Sequence, residues 1–222
     1  MNRLTAYVSS QVGKKQIVAI SGLCLILFLV AHLLGNLFLF KGPEAFNGYV
    51  AKLKSFGLFL RFAEAGLAFI FIIHIILTIQ LVIENKRARG KAYQQVNYQG
   101  KRSLATRIMP LTGLLLLAFV VVHLFDFTFI DHHGPESIVN GSSLGLYGVV
   151  WNTYKANFCR VVFYVMAMCA VGFHLGHAIQ SVVQTFGFYH QTFTPVIKIV
   201  SILIGLVFAL GFSALPIYIY LQ

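Results

Sequence analysis

Hydrophobic and polar positions separate into long blocks along this chain instead of alternating. Five stretches are apolar and uncharged, or nearly so: residues 16–40, 58–83, 108–130, 161–186 and 196–221. Each exceeds the roughly 20 residues that a helix needs to cross a hydrocarbon layer about 30 Å thick. Only helices and closed barrels satisfy their backbone groups in lipid, and barrel-type alternation is absent. The pattern therefore predicts an all-α integral membrane bundle of five helices, forming one domain over residues 1–222. The first block follows Lys14 and Lys15 as a secretory signal would. It is too long for one and has no small-residue cleavage site, so it reads as a retained anchor.

The polar connections set the orientation. Arg3, Lys14 and Lys15 precede the first block, Lys86, Arg87, Arg89, Lys91, Lys101, Arg102 and Arg107 crowd the second connection, and Lys198 opens the fifth block. The other side holds fewer basic residues: Lys41, Lys52, Lys54, Arg61, Lys155 and Arg160. The positive-inside rule then puts the N-terminus in the cytoplasm and, after five crossings, the C-terminus outside. In the first outer connection Phe46, Tyr49, Val50, Leu53 and Phe56 recur at helical spacing. The pattern alone favours a short helix lying in the interface over a packed cap. Trp151, Tyr147 and Tyr154 follow a Gly/Ser-rich stretch and read as interfacial anchors. No internal repeat stands out.

Composition narrows the partners. Charged residues make up 10% of the 222, against roughly 25% in a soluble domain. The formal net charge of +11 fits topology, anionic lipid or an acidic docking face better than nucleic acid. Cys24, Cys159 and Cys169 form no CxxC pair, so neither a disulfide framework nor a zinc ribbon is indicated. The absence of CxxCH means that any haem would be held by axial ligands and packing.

Ionisable residues inside a membrane are expensive, and here each of the first four blocks has a histidine near its middle: His32, His74, His123 and His174. Counting about 1.5 Å per residue from the cytoplasmic ends puts His32 and His123 level, about 25 Å deep. His74 and His174 form an inner level at about 15 and 18 Å. Histidines level on different helices can approach one metal from opposite faces. His177, at about 14 Å, matches His74 as well as His174 does, so spacing leaves both open for the inner level. Zinc would want a carboxylate, thiolate or water in a polar pocket. Haem fits better, with Phe28, Phe71, Phe119, Phe125 and Phe173 as apolar walls and Gly35, Gly172 and Gly176 where a ring passes close to backbone. Two histidines per iron leave no open axial position, which implies electron transfer.

The runs Ser9-Ser10-Gln11-Val12-Gly13-Lys14-Lys15, Ala31-His32-Leu33-Leu34-Gly35-Asn36-Leu37, Phe46-Asn47-Gly48-Tyr49, His123-Leu124-Phe125-Asp126-Phe127 and Phe173-His174-Leu175-Gly176-His177-Ala178-Ile179-Gln180-Ser181 occur in an order that resembles the single-chain di-haem cytochrome b membrane subunit of succinate dehydrogenases and quinol:fumarate reductases. The resemblance implies two haem b groups, held by His32 with His123 and by His74 with His174, and leaves His177 beside the inner ligand or near quinone. It implies a flavoprotein with FAD and an iron-sulfur subunit on the cytoplasmic face of a bacterial inner membrane. The succinate and fumarate chemistry would occur in those partners, and electrons would reach a membrane quinone, by the family's habit menaquinone.

Quinone chemistry moves protons as well as electrons, which makes Asp126, one turn from His123, and Glu64 candidates. Both have plainer readings: an interfacial carboxylate for Asp126 and an ion pair with Arg61 for Glu64. Near the inner level Ser21, Lys14, Lys15, Gln16 and the cluster Lys101, Arg102 and Arg107 could meet haem propionates, although the basic residues equally serve topology. Two rivals remain, a di-haem cytochrome b of a hydrogenase or formate dehydrogenase, and a proton-coupled transporter with a histidine relay. The transporter would want helices broken by paired Gly and Pro, whereas Pro110, Pro195 and Pro216 fall near helix ends.

Overall fold

The computed structural model describes residues 2–88 and 104–222, with side chains from residue 107 in the second stretch. Among the described residues, five helical segments are long and apolar enough to cross a membrane: Gln11–Lys41, Leu58–Ala88, Arg107–Phe127, Phe158–Thr185 and Phe193–Leu221. The helices are α1 (Arg3–Ser9), α2 (Gln11–Asn36), α3 (Pro43–Lys54), α4 (Leu58–Ala88), α5 (Leu104–Phe127), α6 (Gly145–Lys155), α7 (Phe158–Thr185) and α8 (Phe193–Leu221).

Helix α2 begins five residues before its apolar block because Ser10 caps it: the Ser10 hydroxyl oxygen accepts from the Gly13 N–H at 3.0 Å. At its far end the chain tightens into a 3-10 turn, Leu37–Lys41. That turn stops at Gly42, whose φ of +91° suits glycine alone. Pro110 lies inside α5 and Pro216 inside α8, each within two turns of a helix end.

Helix α7 is the hub, packed along α8, α5 and α2, while α4 packs along α2. The α7–α8 crossing is close because small residues line both sides: Gly172 and Gly176 on α7, and Ser201, Gly205 and Ala209, spaced by four, on α8. A Cβ on Gly172 would stand 2.9 Å from the Ala209 Cβ, and one on Gly205 would overlap the Gly172 carbonyl. Within lipid such close backbone contact replaces the hydrophobic effect as the source of helix association.

The outer connections form a packed cap, and the interfacial reading of them is corrected on this point. Phe46 of α3 and Tyr147 and Tyr154 of α6 are buried. Asn47 ties the two helices together, since its Nδ2 donates to the Leu144 carbonyl at 2.7 Å and its Oδ1 accepts from the Tyr147 N–H at 3.2 Å. A small hairpin, Ile138–Val139 with Ser142–Ser143, turns through Asn140 and Gly141, both at positive φ. Asn152 of α6 fastens it by donating to the Glu136 and Ile138 carbonyls, each at 2.9 Å.

Candidate functional site

Helices α2 and α5 each bring one histidine to the outer tier. The rings of His32 and His123 stand face to edge, with centroids 5.8 Å apart and planes at 88°. Phe28, one turn before His32, stacks on it at 5.2 Å, and Phe119, one turn before His123, lies 5.5 Å from it. Phe212 of α8 closes the remaining side of His32 at 5.7 Å. Among the described residues His123 Nδ1 is the one buried side-chain nitrogen or oxygen without a hydrogen-bond partner.

Helices α4 and α7 supply the inner tier, where His74 and His174 lie within electrostatic reach of each other. Each is tethered at Nδ1 by a hydroxyl from the neighbouring helix: Ser21 of α2 lies 3.0 Å from His74 Nδ1, and Thr112 of α5 lies 3.2 Å from His174 Nδ1. No group of three or more His, Cys, Asp or Glu side chains converges among the described residues, and His177 lies within the same electrostatic reach of His174.

Haem can be tested against these residues. Haem ligation would need an imidazole from each of two helices brought to one place, and the His32 and His123 ring centroids stand 5.8 Å apart. Aromatic rings flank that pair, and the polypeptide supplies no hydrogen-bond partner for the buried His123 Nδ1. At the inner tier a hydroxyl occupies Nδ1 of each ring and leaves Nε2 as the nitrogen for a ligand. The residues fit the group.

The glycines expected to make room for haem do other work. Gly172 and Gly176 serve the α7–α8 crossing, and a Cβ on Gly35 would meet the Tyr49 ring and hydroxyl of the cap. Phe125 and Phe173 point outward and are exposed. The glycines beside imidazole are Gly22 and Gly113: a Cβ on the first would stand 3.3 Å from His74 Cε1, and on the second 3.7 Å from His174 Cε1.

Those glycines expose an internal repeat that hydropathy alone conceals. Residues 21–33 and 112–124 share the pattern Ser/Thr-Gly-Leu-x4-Phe-x3-His-Leu, from Ser21-Gly22-Leu23 through Phe28 to His32-Leu33 and from Thr112-Gly113-Leu114 through Phe119 to His123-Leu124. The partner helices repeat His-x4-Ile-Gln-x-Val, in His74-Ile79-Gln80-Val82 and His174-Ile179-Gln180-Val182. Helix α2 with α4 is thus echoed by α5 with α7, each pair packed together, and α8 stands outside the repeat. His177 corresponds to Leu77 in this register and so has no counterpart. Thr112 is a site residue that only this correspondence, or the partner ring itself, brings to notice.

Asp126 belongs to a buried polar cluster one turn from His123. Its side chain is 11% exposed, accepting from Tyr164 Oη at 2.7 Å and pairing with Arg160 at 3.3 Å. Glu64 pairs with Arg61 at 2.9 Å on an open surface, as its plainer reading held. Lys14 pairs with Glu84 of α4, which also accepts from Gln11. The Gln16 side-chain carbonyl accepts from the Tyr7 hydroxyl, and Lys15 is exposed. Arg102 and Lys101 lie outside the described residues. His132 donates to the Phe127 carbonyl at 2.8 Å and closes the end of α5.

Residues 17–109 match the family model described as succinate dehydrogenase/fumarate reductase transmembrane subunit. The matched segment holds His32, His74 and Ser21, and the chain resembles that family over the first two spans and the start of the third. No curated protein and no solved structure matches the chain.

Proposed function

We propose that this chain is the cytochrome b membrane anchor of a succinate:quinone oxidoreductase, with His32 and His123 holding one haem b and His74 and His174 a second. The observation that carries the reading is the His32–His123 pair, brought together from helices α2 and α5 at 5.8 Å. The family match over residues 17–109 supports it independently. Equivalence with His74 in the repeat, and the hydroxyl of Thr112, favour His174 over His177 as the inner ligand.

Haem held by these four imidazoles would supply a one-electron carrier. The chain's own residues hold and shield it. Phe28, Phe119 and Phe212 keep water from the outer imidazoles, and the cap of α3 and α6 lies over that end of the bundle. The basic N-terminal segment and the connection after α4 face the cytoplasm, where an iron-sulfur subunit and a flavoprotein carrying FAD dock. Succinate oxidation or fumarate reduction takes place in those partners, and the chain serves a membrane quinone, menaquinone by family habit. Asp126 is the acid closest in sequence to an outer ligand and is the proton-handling candidate. The setting is the inner membrane of a bacterium.

Purification from membranes in mild detergent tests the whole reading. The expected result is two haem b per chain by pyridine haemochrome, with a flavoprotein and an iron-sulfur protein co-eluting. A colourless chain, or one that elutes with hydrogenase or formate dehydrogenase subunits, overturns it.

A further inference from the structure

The two inner histidines are met by hydroxyls in the same way. Ser21 Oγ lies 3.0 Å from His74 Nδ1 and 3.1 Å from the Val18 carbonyl, three residues back. Thr112 Oγ lies 3.2 Å from His174 Nδ1 and 3.0 Å from the Met109 carbonyl, again three residues back. A hydroxyl has one proton to give. Both contacts are hydrogen bonds together only if the hydroxyl donates to the carbonyl, which can only accept, and the ring nitrogen donates to the hydroxyl oxygen. The network therefore assigns both imidazoles as Nδ1–H tautomers with Nε2 bare. The glycine after each hydroxyl lets the ring sit against the helix backbone.

Among the described residues no hydroxyl holds the outer tier in this way. His123 Nδ1 is buried without a partner, and the contacts of the outer rings are aromatic. The two tiers thus differ in kind, and the difference obeys the repeat, since Ser21 and Thr112 occupy equivalent positions eleven residues before His32 and His123.

We infer that Ser21 and Thr112 are paired positioning residues of the inner tier, one in each half of the repeat, which fix the tautomer of His74 and His174 and strengthen Nε2 as a donor to iron. A hydrogen bond from Nδ1–H to oxygen raises the basicity of the other nitrogen and so favours the ferric state. Loss of the hydroxyl weakens that donation and shifts the inner potential upward.

The inference rests on the proposed haem ligation, and one experiment separates failure of the two. The complete complex is purified, haem is counted per chain, and each centre is followed by low-temperature difference spectra and redox titration. His74→Ala marks which signal is the inner one. Fewer than two haems in the unaltered complex sinks the ligation itself. With two present, Thr112→Val and Ser21→Ala should each shift the inner midpoint potential upward, or release the inner haem, while the outer signal stays unchanged. Thr112→Ser should restore the original potential. Ser201→Ala removes a buried hydroxyl that donates to the Ile197 carbonyl within α8, and it should move neither centre. An unmoved inner potential in both hydroxyl variants, with both haems retained, overturns the inference and leaves the ligation standing. Equal displacement of both centres overturns it too.

Discussion

Tyr164 donates its phenolic proton to Asp126 at 2.7 Å, from α7 across to α5, and Arg160, one turn earlier on α7, holds the other carboxylate oxygen at 3.3 Å. The contact joins two helices of the bundle just outside the His32–His123 pair. Its stakes are unequal for the partners. Tyr164→Phe removes one hydrogen bond and should cost about 1 kcal/mol. Asp126→Ala strands a phenol and a guanidinium together and should cost more, about 2–3 kcal/mol after allowance for the partial exposure of Arg160. Thermal unfolding in detergent, read by circular dichroism, ranks the two, and equal effects would mean that the carboxylate is not the centre of the cluster.

His32→Ala and His123→Ala should each remove the same haem, halving the haem content while the inner signal survives. Difference spectra of the two variants would then superimpose. Loss of different signals from the two substitutions would break the pairing.

The space around two helical glycines predicts different outcomes for their substitution. Gly205→Ala drives a methyl into the Gly172 carbonyl and should destabilise by about 2 kcal/mol or more. A methyl on Gly48, inside α3, would meet nothing within 4 Å, so Gly48→Ala should be neutral or stabilise by about 0.5–1 kcal/mol. Unfolding midpoints of the two variants give the check.

Alkaline pH should loosen the cap. Burial, then the nearby Asp126 carboxylate, holds the Tyr154 phenol well above the usual tyrosine range. The unfolded chain releases that proton near about pH 10, so above this value the folded state binds more protons than the unfolded one. The stability tied to Tyr154 is complete below about pH 10 and declines as the pH rises beyond it. Tyr154→Phe should flatten that decline in melting curves taken between about pH 8 and 11.

The spans were legible because lipid demands long apolar runs, and the histidines because charge-capable rings are conspicuous inside them. Depth counting grouped His32 with His123 since both helices rise from the same side by nearly the same number of residues. What escaped was governed by contacts distant in sequence. The cap depends on Asn47 reaching residues about a hundred positions away, and the amphipathic spacing of α3 does not say whether lipid or protein covers its apolar face. Thr112 escaped because a hydroxyl in a membrane helix ordinarily bonds its own backbone. Only the partner ring, or the matching Ser21 in the other half, marks it out. The start of α2 escaped because a capping serine, not hydropathy, sets it.

Helix α8 has no twin in the repeat, and so the spans among the described residues are odd in number. Peptide leaving α8 therefore emerges in the compartment opposite to that of the residues before α2, and reporter enzymes fused at those two points should light up on different sides of the bilayer. A chain built from the two repeated hairpins alone would return to the side where it began.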